Sequence, residues 1–288
     1  MSTQARGVVS YLLIAFGMAW LFWELAIRFV MRPDNLLFQT VALPGAFAPA
    51  VAAVIVRKWI TREGFADAGL RLRPVKWRYY GVAWLLPVPV TASIIGLAWV
   101  LGISRPDFSL MRFASWLTPG IEIPAPPPYI WIVIPLQLMI NAIIVTPILW
   151  GEEFGWRGYL QVKVFPERPL LAAVTTGLIW GAWHFPINLR GYNFPDHPIA
   201  GSFLFLVGTT LLSIIFGWLR ERTGSIWAPC LAHAATNSIG ASLTLLLFAG
   251  EPNWIFLNYL GLLGLIPLGA FCAWLVFTGR LQPVDEAR

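Results

Sequence analysis

Trp150-Gly151-Glu152-Glu153-Phe154-Gly155-Trp156-Arg157-Gly158-Tyr159-Leu160 closes a run that carries no charge from Tyr129 to Trp150. Two adjacent carboxylates and a guanidinium in such a setting cost on the order of several kcal/mol each unless they are paired or put to use. Within the next eighty or so residues come two more costly side chains, His184 and His233. Each lies inside its own apolar helix candidate, and each is followed four residues later by an asparagine, Asn188 and Asn237. The acidic pair and the two histidines read as one buried site, and the rest of the chain as its frame.

The frame is a membrane one. The 288 residues are 58% hydrophobic and 12% charged, with a mean hydropathy of +0.69, whereas charged residues are about a quarter of an ordinary soluble domain. Sixteen tryptophans fit interface anchoring. Closed β-barrels are the other spanning solution, but the apolar runs here are continuous rather than alternating. Runs long enough for a ~30 Å hydrocarbon core, which takes about 20 residues, fall at roughly 8–30, 36–56, 79–102, 128–160, 169–189, 198–219, 225–249 and 254–279. The expected fold is therefore all-α, a polytopic helical bundle of about eight transmembrane helices. The expected division is 1–127, N-terminal helices with a basic loop; 128–250, the core that carries the site; and 251–288, a last helix and short tail.

The first run is too long for the apolar core of a cleaved signal, and Met31-Arg32-Pro33-Asp34-Asn35 offers no small-residue cleavage site. Pro44 and Pro49 with Gly45, and Pro87 and Pro89, suggest kinks in the second and third runs. Ile123-Pro124-Ala125-Pro126-Pro127-Pro128 reads as an extended lead-in to the fourth. Cys230 and Cys272 both sit in apolar runs and read as small buried side chains, not as a disulfide. Glu24 and Arg28, four apart, read as an ion pair on one helical face. His197 reads as a solvated loop histidine.

Lysine and arginine sort by loop. Arg57, Lys58, Arg62, Arg71, Arg73, Lys76 and Arg78 lie between the second and third runs. Counted over alternate loops the split is 15 to 5. The richer side is expected to be cytoplasmic, which puts both termini there and makes the chain a multi-pass protein of the cell membrane. The net charge of +6 is thus a topology signal and not a nucleic-acid footprint.

Helical geometry divides the work in the motif. Glu153 and Arg157 are four apart and share a face. Glu152 points about 100° away, on the face of Gly155, Trp156 and, three turns earlier, Asn141, and needs a partner on another helix. At 1.5 Å per residue Glu152 and His233 lie about 12 Å inside the basic boundary. His184 lies roughly 21 Å in by the same rise, unless Pro166 and Pro169 delay its helix or Pro186 opens it. A carboxylate and two imidazoles in a dry cavity suit two chemistries. In one, Glu152 is a general base on a water that attacks a peptide carbonyl, His184 positions the water, and His233 and Asn237 donate to the oxyanion. In the other, Glu152, His184 and His233 bind Zn²⁺ and leave a position open for the water. The spacing does not match the HExxH helix of soluble zinc proteases.

Glu152-Glu153-Phe154-Gly155-Trp156-Arg157 resembles the EExxxR motif of the CPBP family of intramembrane proteases. That family includes type II CAAX prenyl endopeptidases and bacteriocin-processing or immunity proteins. Trp180-Gly181-Ala182-Trp183-His184 resembles its FxxxH motif, with Trp180 where Phe is usual, and His233-Ala234-Ala235-Thr236-Asn237 its HxxxN motif. The resemblance covers about 128–250. It implies an endopeptidase with a cavity open to the cytoplasm, Glu152 as the catalytic glutamate supported by Glu153 and Arg157, and His184, His233 and Asn237 completing the site. Zinc is one expected cofactor, and a metal-free, glutamate-driven mechanism is the other. The expected partners are the lipid bilayer and a membrane-associated peptide or protein substrate, CAAX-like or otherwise. A non-catalytic immunity or interaction protein on the same frame is the rival reading. A proton-coupled transporter is a third, against which stands the absence of an internal repeat of broken helices.

Overall fold

The structure is a computed structural model, which describes residues 1–30, 36–109, 127–248 and 253–282. The chain folds as helices: α1 Thr3–Val30, α2 Leu36–Ala46, α3 Ala48–Ile55, α4 Trp77–Leu85, α5 Pro87–Val100, α6 Ile130–Gly155, α7 Pro169–Trp183, α8 Phe185–Asn188, α9 Pro198–Thr223, α10 Trp227–Ala235, α11 Ala241–Leu246, α12 Trp254–Leu257 and α13 Leu262–Phe277. Among the described residues there is no strand, only an isolated bridge between Pro106 and Phe248. Met31–Asn35, Arg32, Arg112 and Arg288, positions 123–126, and the 250/251 boundary lie outside the described residues.

Among the described residues all eight expected apolar runs are largely helical, and six of the helical stretches are long and apolar enough to cross a membrane: Thr3–Phe29, Thr40–Ile60, Trp77–Val100, Ile130–Lys163, Pro198–Thr223 and Trp254–Phe277. The protein is a multi-pass helical membrane protein. The two runs that fall short are the ones that carry His184 and His233. Helix α7 has 15 residues, and the stretch from α10 to α11 is diluted by His233, Thr236, Asn237 and Ser238.

The expected breaks occur where proline dictates. Helices α2 and α3 part at Phe47, two residues before Pro49, α4 and α5 part at Leu86 before Pro87, and α7 ends at His184, two residues before Pro186. Each proline lacks the N–H that would continue the ladder. Among the described residues three stretches are π-helical, Val56–Ile60, Trp156–Leu160 and Thr236–Gly240. The last two directly follow the acidic motif and the helix of His233, in keeping with the concentration of π-bulges at functional sites.

Packing follows the rule for helices in lipid, where small residues let backbones approach. Tyr11, Ala15, Ala19 and Trp23 recur every four residues on α1 and are buried, facing α2 and α3. Gly177 and Gly181 press α7 onto α9, and a Cβ at either would sit about 2.5 Å from Thr210 Cα or Thr209 Oγ1. Ser213 then donates to the Ala173 carbonyl at 2.8 Å. Along α6, Ile132, Leu136, Ile140, Ile144 and Ile148 form an exposed stripe of period four, a face for lipid. From Gly151 to Leu160 every residue is buried, so the same helix passes from lipid-facing rod to core as it enters the motif.

Cys230 and Cys272 are free and buried, and His197 is exposed, as expected. Glu24 departs from expectation: its carboxylate accepts from Arg190 at 2.9 Å instead of pairing with Arg28. The loop at Arg190 folds back against the end of α1 and offers a forked donor to the acid.

Candidate active site

Glycine brings the motif into place. At Gly155 a Cβ would collide with Pro49 and would stand 2.6 Å from the Tyr11 hydroxyl. At Gly151 it would meet the Phe47 ring at 2.8 Å. Helix α6 therefore lies directly on the break between α2 and α3, and its two carboxylates face inward.

The carboxylates part company as the helical spacing requires. Glu153 is fully buried and its Oε1 accepts from Arg157 Nη1 at 2.9 Å and from His233 Nδ1 at 2.9 Å. The Arg157 guanidinium, also fully buried, lies 4.7 Å from the Trp180 ring centroid and 5.1 Å from that of Phe216, a cation–π setting that offsets part of its desolvation. Glu152 turns the other way and finds its partner on α7, where the Trp180 indole N–H donates to Oε2 at 2.8 Å.

The histidines are oriented by acceptors. His184 Nδ1 lies 3.0 Å from the Trp180 carbonyl; a carbonyl only accepts, so Nδ1 carries the hydrogen and the neutral ring keeps its lone pair on Nε2. The same reasoning applies to His233, whose Nδ1 faces the Glu153 carboxylate. Both rings are thus held by a partner on one nitrogen with the other left for the cavity. Aromatic neighbours fix the His184 ring: Trp23 stacks at 5.6 Å, Trp183 is edge-on at 4.8 Å and Phe205 lies at 4.9 Å.

Glu152, Trp180, His184, His233 and Asn237 line one cavity of about 380 Å³, walled by Trp23, Phe38, Leu43, Phe205, Leu212 and Leu260. Glu153 and Arg157 stand behind it as support. Two asparagines singled out from the sequence lie elsewhere. Asn188 is fully buried and accepts from Asn193 at 2.7 Å, because the break at His184 turns it off the histidine's face. Asn141 donates to Ser238 at 3.0 Å and joins α6 to the π turn after α10.

Among the described residues no three or more His, Cys, Asp or Glu side chains are grouped as a metal ion needs. The expected ligand set of Glu152, His184 and His233 does not assemble in this arrangement. The Trp180 indole stands among the three, bonded to Glu152 and with its ring 5.1 Å from that of His233 and 6.1 Å from that of His184. The residues do not fit a three-ligand zinc site, and no step below passes through a metal.

Trp180 is the member that sequence reasoning left without a role. It entered as an aromatic exchange in the second motif, and the clue to more was chemical: of the aromatic side chains, only tryptophan brings an N–H donor with no acceptor. Arg57 was counted only for loop charge. It is fully buried, donating to the Gly158 carbonyl at 2.9 Å, to the Gly64 carbonyl at 2.5 Å and to Asp67 at 2.7 Å, and so clamps the basic loop to the end of the motif.

The family model described as type II CAAX prenyl endopeptidase Rce1-like matches residues 130–239, from the start of α6 to just past Asn237. Over that stretch the chain is similar to the type II CAAX prenyl endopeptidases. All three motifs of the site fall inside the matched stretch. No curated protein matches the chain.

Proposed function

We propose that this protein, similar over residues 130–239 to type II CAAX prenyl endopeptidases, is an endopeptidase that hydrolyses a peptide bond of a membrane-associated polypeptide, with Glu152 as general base. The observation that carries the reading is the sorting of polar groups: Glu152, His184, His233 and Asn237 line one largely apolar cavity, while Glu153 and Arg157 are sealed behind it. In the proposed step Glu152 takes a proton from a water as its oxygen attacks the scissile carbonyl. His184 Nε2, with its lone pair free, accepts from that water and aims it. The negative charge that develops on the carbonyl oxygen is met by the Asn237 amide and, when His233 carries a hydrogen on Nε2 as well as on the Nδ1 held by Glu153, by its imidazolium. As the C–N bond breaks, Glu152 returns its proton to the departing amine. Preorganised donors of this kind are worth about 3–4 kcal/mol each in acyl transfer.

The test is cleavage of candidate peptides, prenylated CAAX peptides and unmodified apolar ones, by purified protein and its Glu152→Ala, His184→Ala and His233→Ala variants. Full activity in the Glu152 variant would end the proposal. Protection or binding that survives in that variant, with no cleavage by the parent protein, would favour the non-catalytic rival.

A further inference from the structure

We infer that Asn258, Tyr259 and Leu260, in the turn between α12 and α13, form a brace that sets where Asn237 stands relative to His184, with Tyr259 a positioning residue for the oxyanion side of the site. The brace lies beyond the 130–239 stretch that carries the three motifs. The inference rests on the peptidase reading for what His184 and Asn237 do, and on separate contacts for what holds them.

One arm reaches back to the histidine. Helix α8 starts directly after His184 and ends at the fully buried Asn188, whose side-chain oxygen accepts from Asn193 at 2.7 Å. The Asn193 carbonyl accepts in turn from the Asn258 amide at 3.0 Å, and the Asn258 side-chain oxygen accepts from the Leu260 N–H at 2.9 Å. That last bond ties the Asn258 side chain to its own turn. A chain of three asparagines therefore joins the end of the His184 segment to the turn before α13. Asn188, which the break at His184 removes from the histidine's face, is its first link.

The other arm grips Asn237. From Ala232 to Gly240 every residue is buried except Asn237, which lines the cavity. Asn237 belongs to the π turn Thr236–Gly240, a rare geometry that gives a helix a different register from the one an α-helix would carry through. Asn141 on α6 holds this turn at Ser238, donating at 3.0 Å. Tyr259 holds it at Gly240: its ring is 3% exposed, and a Cβ at Gly240 would stand 2.6 Å from the ring's Cε2. Leu260 walls the cavity and packs on α9 at Gly208, where a Cβ would stand 2.8 Å from its own.

Three consecutive residues thus touch the loop after α8, the turn of Asn237 and the cavity wall. A donor to developing charge acts only if it is held in place beforehand, and a misplacement near 1 Å costs on the order of 100-fold in rate. Loosening the brace should therefore be felt in turnover and hardly in binding.

The test uses the full chain in detergent and an apolar or prenylated peptide that the parent protein cleaves. Tyr259→Leu and Asn258→Ala should lower kcat by roughly 10- to 100-fold with little change in KM. Tyr259→Phe keeps the ring on Gly240 and should keep kcat near that of the parent. Equal kcat in the Phe and Leu variants, or kcat lost only in proportion to the folded fraction seen in thermal unfolding, would overturn the positioning role. Hydrogen exchange read by mass spectrometry needs no turnover: Asn258→Ala should speed exchange in peptides covering 188–193 and 236–240 alike. Unchanged exchange over 236–240 would overturn the brace even if kcat falls. Exchange that responds as expected in a protein that cleaves nothing would support the brace and count against the peptidase reading, so the two failures are distinguishable.

Discussion

The Trp180 indole N–H donates to Glu152 Oε2 at 2.8 Å from a neighbouring helix, and the same residue's carbonyl accepts from His184 at 3.0 Å. One residue therefore aims both the proposed base and the imidazole that directs its water. The phenylalanine usual at this position of the family motif could supply the carbonyl but not the N–H. Trp180→Phe should lower kcat by roughly 10- to 100-fold, the scale of a misplacement near 1 Å, with a smaller change in KM because the N–H points at Glu152. Phenylalanine also leaves space in the core, so the decisive variant is β-(3-benzothienyl)alanine, which keeps the bicyclic shape and replaces N–H by sulfur. An unchanged kcat in that variant would remove Trp180 from the machinery.

The adjacent glutamates should fail in opposite ways. Glu152→Gln keeps an acceptor for the indole in a partly open cavity, so the protein should fold and elute as the parent does but lose cleavage. Glu153→Gln strips a fully buried anion from Arg157 and His233, and breaking a buried pair typically costs about 3–5 kcal/mol. That variant should be recovered poorly and unfold at much lower temperature in detergent. Thermal unfolding of both, read beside peptide cleavage, separates the roles. A stable, inactive Glu153 variant would put it in the chemistry instead.

The sequence made the division between these glutamates legible because helical spacing is a strict rule: four residues carried Glu153 to Arg157, and one residue turned Glu152 toward another helix. Eight apolar runs and their proline breaks could be read for the same reason. What could not be read depended on contacts between distant segments. Nothing local says that Arg190 folds back to take Glu24 from Arg28, or that Asn188 leaves the face of His184. The helix of His184 runs unbroken from Pro169 to Trp183, as its depth estimate assumed, but that it stops there was not legible. Loop charge gave an expected side of the membrane but said nothing of how Phe154 to Leu160 pack, every one of them buried.

Chelation addresses the donor set. With Trp180 standing among Glu152, His184 and His233, cleavage by protein exhaustively treated with a chelator should match that of untreated protein, and metal analysis should show no stoichiometric zinc. Activity lost on chelation and restored by zinc would mean that the indole swings away in the working enzyme and that the three side chains then ligate.

Asp67 gives the fold a dependence on acid at its basic end. Partial burial alone would raise its pKa, but hydrogen bonds and charges from Arg57 and Lys163 outweigh that and hold it below its ordinary 3.8. Glu63 is the other acid of the cluster, 2.8 Å from Lys163. A carboxylate whose folded pKa is depressed adds stability that is fully present above the unfolded value and lost as pH falls through the folded one. The cluster should therefore hold the loop to the motif at neutral pH and release it only below about pH 3.8. Asp67 is half exposed, so solvent and salt screen the pair and the effect is modest. Melting temperature in detergent should fall as pH drops below about 3.8 in the parent protein, and Asp67→Asn should start lower and fall less. A parallel fall in the two proteins would show that Asp67 carries none of the acid sensitivity.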